Sequence, residues 1–317
     1  MNKRVYGILG ISSIMANWNA DFSGYPKTTS DGTTFGSDKA LKYPMKKMWE
    51  NQGKPVIYIK SLCLKADKKG EAVLIPRSLK ERYEYVFGIK EESKDNKEIL
   101  KNLFQAVDVK NFGATFAESG SNISITGAVQ IGQGFNKYED TDPQEQPILS
   151  PFRDATKTTE KKGEAKNSTL GTKIVSNEAH YFYPFVINPL AYKEFVELGV
   201  TEGYTEEDYQ NFKDTSLVAA TAFATNAKVG CENEFALFVE TEEDLYLPNL
   251  SEYVSFEKGE NKNIIHLLCD ELLNEVRDRI KSVEIYFNPY TTVMDTDIKD
   301  ANFYNIITRK EIGQDAL

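Results

Sequence analysis

The sequence predicts an α+β fold built on a ferredoxin-like core. A strand–helix–strand run near the start and another near the end bracket the chain, with polar insertions between them. No repeat of solenoid type is visible, which sets aside the stacked architectures.

The first run organises the rest. Arg4–Ser13 is apolar with β-branched residues and flanked by turn formers, the pattern of a buried strand. Gly7 and Gly10 inside it weaken a strand unless another backbone or a ligand comes close. A long polar loop, Met15–Ser37, follows, broken by Gly24, Pro26, Gly32 and Gly36. Loops of that length are uncommon in compact domains and are usually functional. Ser37 or Asp38 then caps a Lys-rich helix over Asp38–Glu50, with a kink or fresh start expected at Pro44. Pro55–Leu64 reads as the second strand.

Helices are expected at Leu79–Gly88 and Lys97–Val107, then a loop entering a short strand over Asp108–Phe116, and a strand over Asn122–Ile131. Gly132–Ser168 is polar, has no credible core segment and reads as an exposed insertion. Leu170–Asn188 returns to aromatic and branched residues; Tyr181, Phe182, Tyr183 and Phe185 read as core rather than as a stacking platform. Ala191–Gly199 and Glu206–Asn226 read as helices and Asn233–Val239 as a strand. Asn263–Lys281 carries the clearest helical stripe, Ile264, Leu268, Leu272, Val276 and Ile280 recurring every four residues. Val283–Asn288 is the last expected strand, and the tail is expected to fray.

Bulk properties narrow the function classes. Forty per cent hydrophobic and 27% charged residues suit a soluble globular chain, and no apolar run reaches membrane-span length. With no signal-peptide pattern, a cytoplasmic protein without membrane partners is expected. Cys63, Cys231 and Cys269 lack metal-site spacing and read as reduced core residues. The only histidines are His180 and His266, so no metal, cofactor or histidine-based catalysis is expected. The net charge of −10 opposes nucleic-acid binding only if spread evenly, and lysines gather in Lys39–Lys47, Lys60–Lys69 and Lys157–Lys173.

The loop and helix carry what a phosphate backbone needs: the amides Asn17 and Asn19, the Trp18 ring, the Ser37 hydroxyl, and the cations Lys39, Lys42 and Lys46. The residues alone leave open a solvated cationic face over Leu41, Met45 and Met48. The glycines of the TGAVQIGQG run do not follow the phosphate-loop spacing. Nor is the aromatic strand of an RNA-recognition motif proper present, so backbone and shape contacts are expected rather than base readout.

Five blocks in order resemble a known family: RVYGILGISSIMANWNADFSGYPK, TTFGSDKALKYPMKKMWENQGKPVIYIKS, AVDVKNFGATFA (Ala106–Ala117), NISITGAVQIGQGFN (Asn122–Asn136) and LGTKIVSNEAHYFYPFVINP (Leu170–Pro189). They span roughly the first two-thirds of the chain and resemble the backbone subunit of type I CRISPR surveillance complexes, the Cas seven family, most closely its subtype I-B branch. The resemblance implies an RNA-recognition-motif-like (RRM-like) palm over 1–65, 102–131 and 182–317, a helical finger insertion over 66–101 and a β-hairpin thumb over 132–181. It implies that Leu170, Gly171, Thr172 and Lys173 lie in or beside the thumb, with Leu170 wedging between bases and Lys173 meeting a phosphate. Non-enzymatic binding of CRISPR RNA follows, with copies of the chain polymerising along it and the exposed guide pairing with target DNA. The implied partners are the Cas five, Cas six and large subunits and a helicase-nuclease. Related type III subunits cleave RNA with an Asp in the first loop, so Asp21 or Asp31 as part of a metal-dependent RNA endonuclease is the alternative.

Overall fold

A computed structural model describes residues 1–89, 95–118, 120–149 and 170–313. Strand β1 (Arg4–Ala16) is the centre of the fold, paired antiparallel with β10 (Leu170–Ile187) on one side and β11 (Cys231–Thr241) on the other. Its side chains alternate between two cores. Val5, Leu9 and Ile11 join one, Tyr6 and Ile8 the other. Gly7 is required by crowding, because a Cβ there would fall 2.2 Å from the Leu237 carbonyl and 2.3 Å from the Phe185 ring. The close approach expected of an intrastrand glycine is a neighbouring strand and an aromatic ring.

After β2 (Phe35–Gly36) comes α1 (Asp38–Asn51), capped by Ser37, whose Oγ accepts from the Ala40 N–H at 3.3 Å. Pro44 does not end this helix, which runs unbroken across it and buries Leu41, Met45 and Trp49. Residues 55–60 are not a strand, contrary to the sequence reading. Their backbone is satisfied by side chains instead: Asp108 accepts from the Ile57 and Tyr58 N–H groups at 3.0 and 2.7 Å, and Arg82 donates to the Val56 carbonyl. Burial pushes the Asp108 carboxyl up from its ordinary value, while Lys46 and these N–H donors oppose the shift.

The chain continues through the hairpin β3 (Leu62–Ala66) and β4 (Ala72–Pro76) into α2 (Leu79–Phe87). A Ser78–Glu81 capping box starts α2 and Gly88, at φ 65°, ends it. The predicted helix over 97–107 divides into α3 (Asn96–Leu103) and α4 (Val107–Phe112), so the expected loop at Asp108 is helical. The hairpin β5 (Gly113–Glu118) and β6 (Ser121–Thr126) follows, and Gly127 separates β6 from β7 (Val129–Ile131) where one strand was expected. Gly127 abuts the Phe112 and Gly113 backbone too closely for any Cβ.

The insertion is not devoid of structure. Strand β8 (Gly134–Asn136) joins the main sheet, and β9 (Pro143–Leu149) pairs with β10 (Leu170–Ile187). Pro184 sits mid-strand in β10 without disrupting it. Its carbonyl accepts from Gly132, so its nitrogen faces the gap between β7 and β8, where no ladder partner is needed. Helix α5 (Lys193–Glu197) ends at Gly199, φ 66°. The predicted helix over 206–226 stops sooner, as α6 (Glu206–Ser216) and α7 (Ala219–Ala222).

Then come β11 (Cys231–Thr241), β12 (Val254–Glu257), β13 (Asn263–Leu267) and α8 (Asp270–Glu275), followed by β14 (Ile280–Phe287), β15 (Thr292–Asp295) and β16 (Ala301–Asn305). The helix expected over 263–281 is wrong. Ile265 and Leu267 point inward at strand spacing, Leu268 is exposed, and α8 is a single short turn around Leu273. The described part of the tail, to residue 313, does not fray either, since Met294 and Phe303 are buried.

Among the described residues the main sheet has nine strands in the order β16-β14-β11-β1-β10-β8-β2, with β7 and β9 also on β10. The core containing α1, α3, α4, α6 and α7 covers one face. The β12-β13-β15 sheet and α8 cover part of the other, over Phe182, Phe235 and Leu237. Tyr181, Tyr183 and Phe185 are core residues, as the sequence indicated. The cysteines are free.

Candidate nucleic-acid interface

The long loop after β1 is ordered by its own amides. Asn17 Nδ2 donates to the Gly24 carbonyl at 2.9 Å and to the Ile174 carbonyl at 3.1 Å. Asn19 Oδ1 accepts from the Ser37 N–H at 2.8 Å, tying the loop to the start of α1. Tyr25 donates to Glu145, the β9 residue opposite Ile174. The loop is thereby fastened to the base of the β9–β10 hairpin, and the two expected binding segments form one continuous surface.

Trp18 is not part of that surface. It is 1% exposed and its Nε1–H donates to the Tyr183 hydroxyl at 2.5 Å. Gly36 and Gly134, paired across β2 and β8, make room for Tyr183: a Cβ at either would fall 1.7 Å or 2.4 Å from it. The expectation of Trp18 as a stacking ring is therefore corrected to packing. Asn17 is buried as well, so it organises the surface and does not line it.

The three expected lysines of α1 divide by environment. Lys39 is 89% exposed and only loosely placed near Asp38, at 3.7 Å. Lys42 Nζ bonds Asp38 at 3.0 Å and lies 5.1 Å from the Phe112 ring centroid. Lys46 donates to the Tyr58 carbonyl at 3.2 Å; burial lowers its pKa, and the nearby Asp108 carboxylate works the other way. Only Lys39 of the three is unencumbered. On the hairpin, Gly171 and Thr172 are exposed and Lys173 half-buried, opposite Ile148, Pro147 and Gln146 of β9, while Leu170 stands opposite Leu149.

Sequence reasoning missed Lys228. Its Nζ donates to the Asn17 carbonyl at 2.8 Å and to that of Trp18, and burial lowers its pKa to about 8. The ammonium retains one further donor. On α1, Tyr43 meets Phe223 edge-on at 5.4 Å, and Tyr43 is 41% exposed. Lys228 lies in the short stretch between the helix expected over 206–226 and the strand expected over 233–239, to which no role was assigned.

Asp21 accepts from Ser23 and Tyr25 N–H groups and Asp31 from Thr29 and Thr33, so each carboxylate closes its own turn. Bonding to Thr29 and Thr33 holds Asp31 below its usual carboxylate range. Among the described residues no three His, Cys, Asp or Glu side chains gather to hold a metal ion. His180, by contrast, is buried between two carboxylates, with Nδ1 2.8 Å from Glu234 and Nε2 3.0 Å from Glu178, its ring stacked on Phe256 at 3.8 Å. Burial opposes its protonation, but Glu234 and Glu178 together outweigh burial and raise its pKa.

No helix among the described residues is long and apolar enough to cross a membrane. No curated protein matches the chain. The fold is similar to a chain of a solved structure described as "CRISPR RNA-guided surveillance complex, pre-nicking", with TM-score 0.52 and 16% identity over 95% of this chain and 96% of that one. A chain of a "CRISPR RNA-guided surveillance complex" is also similar, at TM-score 0.47 and 15% identity over 88% of each chain. Residues 3–271, most of the protein and the whole of the surface just described, match the family described as CRISPR-associated protein Cas7, and the chain belongs to that family.

Proposed function

We propose that this protein is a non-catalytic backbone subunit that binds CRISPR RNA in a type I surveillance complex, of the I-B branch to which its sequence blocks point. Family membership over residues 3–271 carries the reading. The geometry supports a location for the RNA. The backbone crosses the joint surface between the first loop and the β9–β10 hairpin, meeting Lys39, Lys173 and the remaining donor of Lys228, with Ser37 and Asn19 holding the helix start in place. Leu170, Gly171 and Thr172 extend the surface along the hairpin.

Each neutralised phosphate releases counterions, giving affinity that is independent of sequence and steep in salt. That suits a guide whose sequence varies while pairing does the recognition. In this reading the main sheet is the palm. The order β11-β1-β10-β8, with helices on one face, is compatible with a ferredoxin-like arrangement; β4, α2 and most of α3 fall in the finger (66–101), and β9 with the first part of β10 falls in the thumb (132–181). Copies of the chain follow one another along the guide in the cytoplasm, with the Cas five, Cas six and large subunits at its sides, target DNA on its bases and a helicase-nuclease recruited afterwards.

Nucleic acid co-purifying with the protein tests this directly. RNA with repeat-derived ends, released as salt rises and reduced by Lys39→Ala with Lys173→Ala, is the expected result. A protein that neither retains nor binds such RNA at low salt would overturn the proposal.

A further inference from the structure

A second cationic surface lies at the opposite end of α1. Lys39 and Lys47 are eight residues apart, about 12 Å along a helix axis, and Lys47 opens onto a cleft of about 910 Å³ between α1, residues 53–62 and α2. Lys47, Lys54, Lys60, Arg77 and Arg82 line it around a single carboxylate, Glu50. Glu50 is already engaged, by Lys47 at 2.7 Å and Arg82 at 2.9 Å. Arg82 is buried and held by the Val56 carbonyl, so its role is to fix Glu50 and the cleft floor.

Lys54, Lys60 and Arg77 are left without a carboxylate partner among the described residues, an excess of positive charge on a chain of net charge −10. Arg77 has one further property. Its guanidinium lies 4.1 Å from the Tyr85 ring centroid, and Tyr85 is 62% exposed. An exposed ring backed by a cation is a platform for a nucleobase, and an acidic peptide has no use for it. Ser61 also lines the cleft, and its Oγ is buried without a hydrogen-bond partner among the described residues.

We propose that this cleft binds a nucleic-acid single strand, its phosphates against Lys54, Lys60 and Arg77 and one base on Tyr85, at a site separate from the Lys39–Lys173 surface. The inference does not depend on what that other surface binds.

The test is a fluorescence-anisotropy titration of the full chain with a labelled oligo-dT single strand, in a background of Lys39→Ala with Lys173→Ala. Binding should persist in that background. Adding Lys60→Gln and Arg77→Gln should weaken it at least about tenfold and lower the salt slope by about 1.4, two phosphates at about 0.7 each. Tyr85→Ala should weaken it by about tenfold and leave the salt slope unchanged. Lys60→Glu alone, at an exposed side chain, covers the case in which the double change unfolds the protein, and should also weaken binding. No binding in the Lys39/Lys173 background, or binding indifferent to the cleft substitutions, overturns the proposal. So does displacement by poly-glutamate with no effect of Tyr85→Ala, which would make the cleft a protein-docking site.

Discussion

Asn17 and Ile174 lie 157 residues apart in sequence, and the Asn17 amide donates to the Ile174 carbonyl at 3.1 Å. The same nitrogen holds Gly24, so one buried side chain joins the end of β1, the loop and the hairpin. Asn17→Ala strands both carbonyls and should cost about 1–3 kcal/mol. Chemical denaturation measures the loss, and hydrogen exchange should rise in residues 20–26 and 171–176. A variant with wild-type stability and exchange would mean that the joint is held elsewhere.

The α1 lysines should separate binding from stability. Lys39→Ala should change stability by less than about 0.5 kcal/mol and lower the salt slope of RNA binding by about 0.7. Lys46→Ala removes the donor to the Tyr58 carbonyl and the cation nearest in influence to the buried Asp108, and should destabilise by about 1–3 kcal/mol. Paired melting and RNA titrations decide between these roles; equal melting losses for both variants would refute the division.

Gly36→Ala should be severe for an exchange of one hydrogen for a methyl. The new carbon would fall 1.7 Å from the Tyr183 hydroxyl and 2.8 Å from the Trp18 ring. Overpacking of this kind costs about 1–3 kcal/mol or more, and near-ultraviolet circular dichroism should report the loosened Trp18. An unchanged spectrum and melting point would show that the ring pair moves freely aside.

Acidity should act through His180. Its folded pKa is raised by Glu234 and Glu178 against the opposing effect of burial, so the folded chain holds this proton more tightly than the unfolded chain. Its stabilisation is fully present below about pH 6.5, the unfolded value. It is lost as pH rises from there through the raised folded value. His180→Gln should flatten this part of the stability profile, measured by denaturant midpoints from pH 5 to 9. A wild-type profile that rises across this window relative to the variant would contradict the assignment.

Central strands buried on both faces were legible from residue types: β1, β10 and β11 fell where apolar, branched and aromatic residues predicted them. Misreadings arose where side chains replaced the ladder or where two periods coincided. Residues 55–60 look like a strand, but Asp108 and Arg82 take their backbone groups. Ile264, Leu268, Leu272, Val276 and Ile280 keep a helical interval, yet Ile265 and Leu267 fill the core. At the candidate site the polar loop and Lys39 were readable. Burial of Trp18 depends on Tyr183, Gly36 and Gly134, which no local pattern connects. Lys228 escaped notice because its partners are backbone carbonyls, invisible to a search for charged pairs.

Strand β10 carries one last consequence. Its 18 residues, about 60 Å if extended, serve first as half of the projecting hairpin and then as a central rung of the sheet beside β1. Val175 and Ser176, where the two halves meet, are fully enclosed. The hairpin is thus a cantilever clamped at its root rather than an arm on a hinge. A load at its outer part is delivered as shear along the β1–β10 ladder, so the stiffness of the hairpin is set by the core of the same molecule.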